Sequence, residues 1–220
     1  MRCLDVTMTL AQRHRQSLCD AARSAGPDAP TLCKGWNVRD LLVHLVVRDS
    51  RPGAALAMVV PPLATHGERV QSQLEALPFA DLIERVRSGP PRWSPASMSA
   101  VDGAVNVAEF LIHREDIVRA DNAVRDGTTY SPETIDAAWS LLRRGGRLFY
   151  RASPVGIVAV APGTGRAALR RPPRGYGSVI VSGEPVELLL HAFGRRGHCG
   201  VQVLGDTRDV DAFTATFASA

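Results

Sequence analysis

A glutamate and a histidine lie four residues apart in a segment that is otherwise apolar. They are Glu109 and His113, within residues 105–113. On an α-helix, residues i and i+4 lie one above the other, so this carboxylate and this imidazole would share one face. His44 lies in an equally apolar segment, residues 41–47. Ionisable groups are seldom buried without a partner, and two histidines with one glutamate form a known catalytic zinc set. The three residues therefore predict a metal site.

The polar residues of the Glu109 helix fall on one narrow stripe at about 100° per residue. The stripe consists of Asp102, Asn106, Glu109, His113 and Asp116, accompanied by Val105 and Ile112. A solvent-facing stripe is the simpler interpretation, but the lysine, arginine and glutamine that are typical of a solvated face are missing from it. We therefore expect an inward polar seam, which is where helical bundles place metal ligands.

Spacing alone leaves other interpretations of these residues open, because ligands from separate helices need tertiary contacts to meet. His44 could be an ordinary core histidine bonded to a carbonyl group. Glu109 and His113 could form an internal salt bridge without a metal. The remaining histidines are expected to be structural or solvated; they are His14, His66, His191 and His198.

The charge pattern argues against a nucleic-acid partner. The formal net charge is +4 over 220 residues, and Lys34 is the only lysine. Basic residues alternate with acidic ones, as in Arg114-Glu115-Asp116, and no dense basic run or known nucleic-acid-reading motif is present. We therefore expect no nucleic-acid interface.

The cysteines and the apolar runs indicate a cytoplasmic protein. Cys3, Cys19, Cys33 and Cys199 contain no CxxC pair and are expected to be thiols in a reducing compartment. Cys33, near the start of a predicted helix, is a candidate nucleophile, but no neighbouring residue in the sequence supplies its base. No apolar run reaches the ~18 residues of a membrane span, and no signal-peptide pattern is found. We therefore expect no membrane partner.

Helical periodicity dominates the first two-thirds of the chain, and strand periodicity appears after Ser153. Helices are predicted at residues 9–24, 37–49, 54–59, 66–76, 79–87, 101–120, 131–150, 186–193 and 210–217. Strands are predicted at residues 155–160, 166–170, 178–181 and 199–204. Asn37 and Ser131 are the expected N-caps of their helices, and Gly145-Gly146 is an expected weak point. The pattern predicts a two-domain α+β chain, with a helical domain at residues 1–152 and a small α/β domain at residues 153–220.

Several motifs resemble the mycothiol-dependent maleylpyruvate isomerase family, and more closely its actinobacterial branch of metal-binding proteins. They are residues 26–33, Gly35-Trp36, Arg39-Asp40-Leu41, His44-Leu45, residues 48–52 and residues 109–116. The resemblance implies an N-terminal DinB-like, up-down four-helix bundle. It also implies that His44, Glu109 and His113 hold a divalent metal, usually zinc. Residues 181–195 resemble the family's small C-terminal α/β domain, which is similar to sterol carrier proteins.

The resemblance also implies mycothiol as a thiol cosubstrate. We expect zinc-assisted isomerisation of a small electrophile, or S-transfer to it. Asn106 and Asp116 are expected to orient the ligand histidines. Arg48 and Arg195 are expected to hold a carboxylate of the thiol or substrate, although a surface ion pair is an equal alternative for Arg48. A non-catalytic protein that binds metal or a small ligand at the same site is the second hypothesis. The sequence leaves the oligomeric state open, with a homodimer as one alternative.

Overall fold

A computed structural model describes residues 8–50, 73–89, 102–121 and 129–217 of the chain. Packing divides the chain into two compact units, Met1–Asp121 and Asn122–Ala220. The first is helical and the second combines helices with a sheet, so the predicted α+β class is confirmed. This division falls earlier than residues 152 and 153, where the sequence predicts a domain boundary. Packing units and domains need not coincide, and that boundary stays a prediction. Within the described ranges, no helix combines the length and apolarity needed to cross a bilayer.

Four helices form the described part of the first unit. They are α1 (Leu10–Ala25), α2 (Val38–Ser50), α3 (Phe79–Ser88) and α4 (Asp102–Val118). Each confirms a helix predicted from apolar periodicity. Residues 73–75 are also helical, but the helix predicted at residues 54–59 and the rest of the one at 66–76 lie outside the described residues. Helix α1 packs against α3 and α4, and α2 packs against α3. Their apolar faces form one core, which excludes water from the sides that meet.

Side chains cap the N-termini of two of these helices. At α1, Thr9 Oγ1 accepts a hydrogen bond from the Gln12 amide, and Gln12 Oε1 accepts one from the Thr9 amide. At α2, Asn37 Oδ1 and Asp40 Oδ2 accept reciprocally from each other's backbone N–H, both at 3.0 Å. Amides without a helical partner are thereby satisfied, and α2 begins where the sequence predicts.

A buried arginine links the four helices of the first unit. Arg15 of α1 donates to Asp49 Oδ2 of α2 at 2.5 Å and to the Val86 carbonyl of α3 at 2.7 Å. Its guanidinium also lies 4.2 Å from the centre of the Phe110 ring of α4. Because the charge is almost fully removed from water, these partners replace the hydration that burial takes away.

The second unit is built on a mixed four-stranded sheet. Its elements are α5 (Pro132–Phe149), β1 (Gly156–Ala161), β2 (Gly165–Arg170), β3 (Ser178–Ser182), α6 (Pro185–Ala192), a 3-10 turn (Arg196–His198), β4 (Gln202–Leu204) and α7 (Thr207–Phe217). The strand order is β2-β1-β3-β4. Strand β1 runs antiparallel to β2 and parallel to β3, while β3 and β4 are antiparallel. Helix α5 packs on β2 and α6, and α7 packs on β3.

Two predicted boundaries in the second unit are wrong. The last strand was expected at residues 199–204, but it begins at Gln202 because the Val201 amide turns back to the Cys199 carbonyl instead of joining the sheet. The last helix was expected from residue 210, but it begins at Thr207. Asp206 caps it, with its Oδ1 atom accepting from the Arg208 amide at 3.0 Å, so an N-cap signal was overlooked.

Helix α5 runs unbroken through Gly145-Gly146, where the sequence suggested a weak point. A Cβ atom on Gly146 would lie 2.8 Å from Leu169 Cδ2 and 2.9 Å from Leu169 Cβ. The glycine therefore allows α5 to approach β2 more closely than any other residue would. Tertiary packing outweighs the low helix propensity of glycine at this position.

Candidate metal centre

Helix α4 presents Glu109 and His113 on one face, as their spacing predicts. Glu109 Oε1 lies 3.3 Å from His113 Nε2 and 3.4 Å from Nε2 of His44, which α2 provides. All three candidate ligand atoms lie within 4.8 Å of one another. In a tetrahedral site with metal–ligand bonds of 2.0–2.1 Å, neighbouring ligand atoms are separated by about 3.3–3.4 Å. Two edges of this triangle therefore have the spacing of metal ligands.

The three side chains differ in their access to water. His113 is 12% exposed, Glu109 is 23% exposed and His44 is 37% exposed. The Trp36 ring covers part of His44, with the ring centroids 5.2 Å apart. The triangle is thus buried at His113 and open at His44. This leaves room for water or a small ligand at a fourth position, as catalytic zinc sites require.

The charges of Glu109 and His113 stabilise each other. Burial alone would lower the pKa of His113, but hydrogen bonds to Asp116, Cys33 and Glu109 outweigh it and raise that pKa to about 11. Burial alone would raise the pKa of Glu109. Hydrogen bonds from His113 and His44, with the positive charges of His113 and Arg48, instead lower it far below its ordinary value. Without a metal the pair is an imidazolium and a carboxylate, so a metal ion would have to displace a proton from His113.

Asp116 lies behind His113, on the side away from Glu109. Its Oδ2 atom is 2.9 Å from His113 Nδ1, and its side chain is fully buried. A carboxylate in this position fixes the imidazole so that Nδ1 carries a proton and Nε2 faces Glu109. This is the contact that the orienting role predicted for Asp116 requires.

Cys33 joins the same cluster, which the sequence did not foresee. Its Sγ atom donates to Asp116 Oδ2 at 3.2 Å and lies 3.9 Å from His113 Nδ1. Cys33, His113 and Asp116 also have the spacing of a metal-ligand group, using the opposite nitrogen of the same imidazole. Cys33 lies 80 residues from His113 in the chain. No local pattern could relate the two residues, and the only signal was the place of Cys33 in a motif shared with the family it resembles.

A hydrogen-bonded loop between α1 and α2 positions Cys33 and Trp36. The Trp36 amide donates to the Cys33 carbonyl at 2.9 Å, and the Thr31 amide donates to the Trp36 carbonyl at 3.2 Å. Gly35 has a φ of +79°, a left-handed conformation that favours glycine and permits the tight turn. The Leu32 amide donates to the Asp116 carbonyl at 2.9 Å, which ties the loop to α4.

Arg48 and Asn106 bind each other beside this cluster. Arg48 Nη2 donates to Asn106 Oδ1 at 2.6 Å, Nη1 donates to Asp49 Oδ1 at 3.2 Å, and Nε lies 3.6 Å from Glu109 Oε1. Asn106 was expected to orient a histidine, and its described contact is with Arg48 instead. Arg48 was expected to hold a substrate carboxylate, and here it contacts protein oxygens. Both roles stay predictions.

Arg195, also expected to bind the thiol or substrate, belongs to the second unit. Its Nη1 donates to the Phe193 carbonyl at 2.7 Å, and its role stays a prediction. The cysteines among the described residues, Cys19, Cys33 and Cys199, are thiols, as expected. Burial raises the pKa of Cys19 to about 11, so this residue acts as a small core side chain.

Comparison with known proteins assigns the helical unit to a family. The family model for the mycothiol maleylpyruvate isomerase N-terminal domain matches residues 9–118. The chain belongs to this family. The match extends from the N-cap of α1 to the last residue of α4 and includes His44, Glu109 and His113. No curated protein and no solved structure gave a match.

Proposed function

We propose that this chain is a divalent-metal protein, with zinc as the preferred ion, that uses mycothiol in isomerisation of a small electrophile or in S-transfer to it. His44, Glu109 and His113 are the proposed ligands. One observation carries the proposal: imidazole nitrogens from two helices converge on the same carboxylate oxygen at metal-ligand spacing. Two imidazoles and a carboxylate suit zinc, and they also accept neighbouring transition metals. Membership of the mycothiol maleylpyruvate isomerase family supports the choice of thiol.

In this proposal the surrounding residues prepare the three ligands. Asp116 keeps the proton of His113 on Nδ1, so that the lone pair on Nε2 faces the ion. Arg48 balances part of the charge on Glu109. Trp36 limits the access of water beside His44, where the thiol would enter. When bound, the metal would supply an open position at which a coordinated thiol is held as the thiolate near neutral pH.

We extend the proposal to the bundle topology, the type of C-terminal domain, the location and the partners that the family resemblance implies. The helical unit is taken as a DinB-like, up-down four-helix bundle of the actinobacterial branch, supported by a family match that spans α1 to α4. The C-terminal region is taken as a sterol-carrier-like domain, supported by its mixed sheet and flanking helices. A cytoplasmic location is supported by the thiol state of the described cysteines. A small thiol and a small electrophile are the proposed partners.

A non-catalytic protein that binds metal or a small ligand is the second candidate function. The contacts of Arg48 favour it. The guanidinium that would hold a substrate carboxylate is already in contact with Asp49, Asn106 and Glu109. A substrate would have to displace at least one of these contacts.

Metal binding is the first test. Full-length protein, purified without an affinity tag or chelator, should carry about one equivalent of zinc by elemental analysis. We expect His44→Ala, Glu109→Gln and His113→Ala to lose most of it. His14→Ala is the matched control, because His14 is a partly buried histidine of the same unit outside the triangle, and it should keep the metal. Wild-type protein without metal, or His44→Ala protein that binds zinc as tightly as wild type, would disprove the site.

Turnover separates the two functions. Zinc-loaded protein is mixed with mycothiol and a panel of small electrophiles, and consumption of the thiol or conversion of the electrophile is followed. Turnover that disappears in His44→Ala but persists in His14→Ala supports the enzyme. Tight zinc binding without turnover supports the binding protein.

A further inference from the structure

The second unit contains a cavity of about 390 Å³ at α6, α7 and β4. Its lining includes His191, Arg196, Val201, Val203, Phe213 and Phe217. The volume falls in the range of small-molecule sites, about 300–1,000 Å³. Four of these side chains are apolar and two carry nitrogen donors. Apolar walls with a few polar groups are the usual composition of such a site.

Arg196 is the cationic side chain among these lining residues, and its charge is poorly compensated. Its guanidinium carbon lies 3.9 Å from the centre of the Phe217 ring. Its Nε atom is buried and has no hydrogen-bond partner in the described part of the chain. Burial lowers the pKa of Arg196. The groups that raise it are Tyr150 and Cys199, with no carboxylate of the described residues among them. An anionic ligand would supply the missing counter-charge.

His191 supplies a second donor to the same lining. Its Nδ1 atom lies 2.7 Å from the Tyr150 hydroxyl, and its ring stacks on Phe213 at an interplanar angle of 5°. Burial lowers the pKa of His191 to about 4, with Arg196 adding to the effect, so the ring is neutral at pH 7. A phenol donates to a neutral imidazole nitrogen. Nδ1 is therefore the acceptor, and Nε2 carries the ring proton.

We infer that this cavity binds a small monocarboxylate with a short aliphatic or single-ring body. The planar fork of Arg196 matches a carboxylate, and the Phe217 ring covers one face of the guanidinium. The valine and phenylalanine side chains accommodate the apolar body. A dianion such as phosphate fits less well, because Arg196 is the one permanent positive charge in the lining. The site is built from the second unit alone and does not depend on the metal centre.

Benzoate is the probe, and benzyl alcohol is its uncharged counterpart. Binding to the full-length protein is measured by calorimetry and by chemical shifts of labelled backbone amides. Benzoate binding should saturate and should change the chemical shifts of backbone amides in α6 and α7. Benzoate should also bind more tightly than benzyl alcohol. Arg196→Met should weaken benzoate roughly tenfold or more, the range of a charge-assisted hydrogen bond. Arg208→Met is the matched control. Arg208 also stacks on an aromatic ring, that of Tyr176 at 4.9 Å, but it is exposed and outside the lining. The Arg208→Met protein should bind benzoate as tightly as wild type does.

A second variant tests the cavity without removing the charge. A Cβ atom on Gly197, also in the lining, would have no atom within 4 Å. Gly197→Leu can therefore fill space with little strain and should weaken both probes. Unchanged benzoate affinity in Arg196→Met, equal affinity for benzyl alcohol and benzoate, or no saturation at millimolar benzoate would each overturn the inference. Thermal unfolding of each variant verifies that it is folded.

Discussion

The two compact units bury different kinds of polar group. In the first unit the buried charged residues, among those described, are Arg15, Glu115, Asp116 and Arg119. In the second unit the buried charged residue, among those described, is Asp209. The other buried polar residues there are neutral: Thr134, Ser153 and His191. Every buried charge named in the first unit has a described partner of opposite charge. Each ion in such a core needs its partner, because removing one member of a buried pair leaves the other charge uncompensated.

The buried ions of the first unit lie next to its candidate site, whereas the buried strand residues of the second unit form an ordinary apolar core. The ions of the first unit continue to the candidate ligands His44, Glu109 and His113. Asp116 contacts His113, and Asp49 contacts both Arg15 and Arg48. The buried residues of β1 and β3 are alternate apolar side chains, as in any half-covered sheet. Substitutions should therefore have their largest effects where a charge loses its partner.

The largest expected effect is at Arg15. Arg15→Met would leave the Asp49 carboxylate, 12% exposed, without its principal cation. The free energy of unfolding of the first unit should fall by about 3–5 kcal/mol, as for other buried pairs that lose one partner. Hydrogen exchange of the α1 amides measures the loss.

Arg23→Met is the control for that experiment. Arg23 of α1 pairs with Glu84 of α3, and these two side chains are 58% and 56% exposed. Removing this pair should change the unfolding free energy by less than about 1 kcal/mol. Equal losses in the two variants would show that burial does not distinguish the pairs.

The two units should respond oppositely to pH. The pKa of His191 is lowered to about 4 in the folded state, so the unfolded chain takes up the proton first. The second unit should keep its stability above pH ~6.5 and lose on the order of 3 kcal/mol as the pH falls toward 4. The pKa of His113 is raised to about 11. In metal-free protein, the contribution of His113 to the stability of the first unit is complete below pH ~6.5 and declines as the pH rises toward 11.

Hydrogen exchange of α6 and α4, corrected for intrinsic rates at each pH, separates the two responses. His191→Gln keeps an acceptor for the Tyr150 hydroxyl but cannot take up a proton, so it should flatten the acid response of α6. Protection of wild-type α6 that stays constant between pH 7 and 4 would contradict the assignment.

A smaller effect is expected at the carboxylate behind the proposed ligands. Asp116→Asn should lower zinc affinity roughly 10–100-fold, because an amide holds the His113 ring less firmly and makes it less basic. Competition with a zinc indicator measures the change. Asp20→Asn, an exposed carboxylate of the same unit paired with Arg87, should leave zinc affinity unchanged. An equal decrease in both variants would indicate a general charge effect.

The smallest effects should be alike in the two units. Thr9→Ala removes the cap of α1, and Ser131→Ala removes that of α5, where Ser131 Oγ accepts from the Thr134 amide at 3.3 Å. Each should cost about 1 kcal/mol of unfolding free energy, because capping depends on local geometry and not on the surrounding core. Urea titration followed by exchange of each helix measures both. A cost several times larger in one unit would mean that the cap also supports tertiary contacts.

Local signals were sufficient for most of the fold. Apolar periodicity located α1 to α7 and the strands, and the Asn37–Asp40 pair begins α2 where expected. Local signals failed where a nearby hydrogen bond competed with the pattern, as at Val201 and Asp206. They also failed at Gly146, where packing decides the conformation.

The candidate site was only half predictable. Helical spacing placed Glu109, His113 and Asp116 on one face, because that relation lies within a single helix. His44 was a candidate from its apolar segment, and the family resemblance then implied that it is a ligand. Local patterns could not place Cys33, since a loop held by backbone hydrogen bonds brings it to a helix 80 residues along the chain. The same loop places Trp36 against His44 of the helix that follows it. The pairing of Arg48 with Asn106 depends in the same way on how two helices face each other.

The absence of a side chain at Gly146 sets the distance between α5 and β2. Because Leu169 occupies the space that a methyl group would need, even alanine there would act as a wedge between helix and strand. The wedge would move β2, an outer strand of the sheet, before it disturbed β1. Tolerance to mutation should therefore drop sharply at this contact. At Gly145 a Cβ atom would lie 2.5 Å from the Phe149 ring, so a substitution there requires a side-chain ring, and not a strand, to shift.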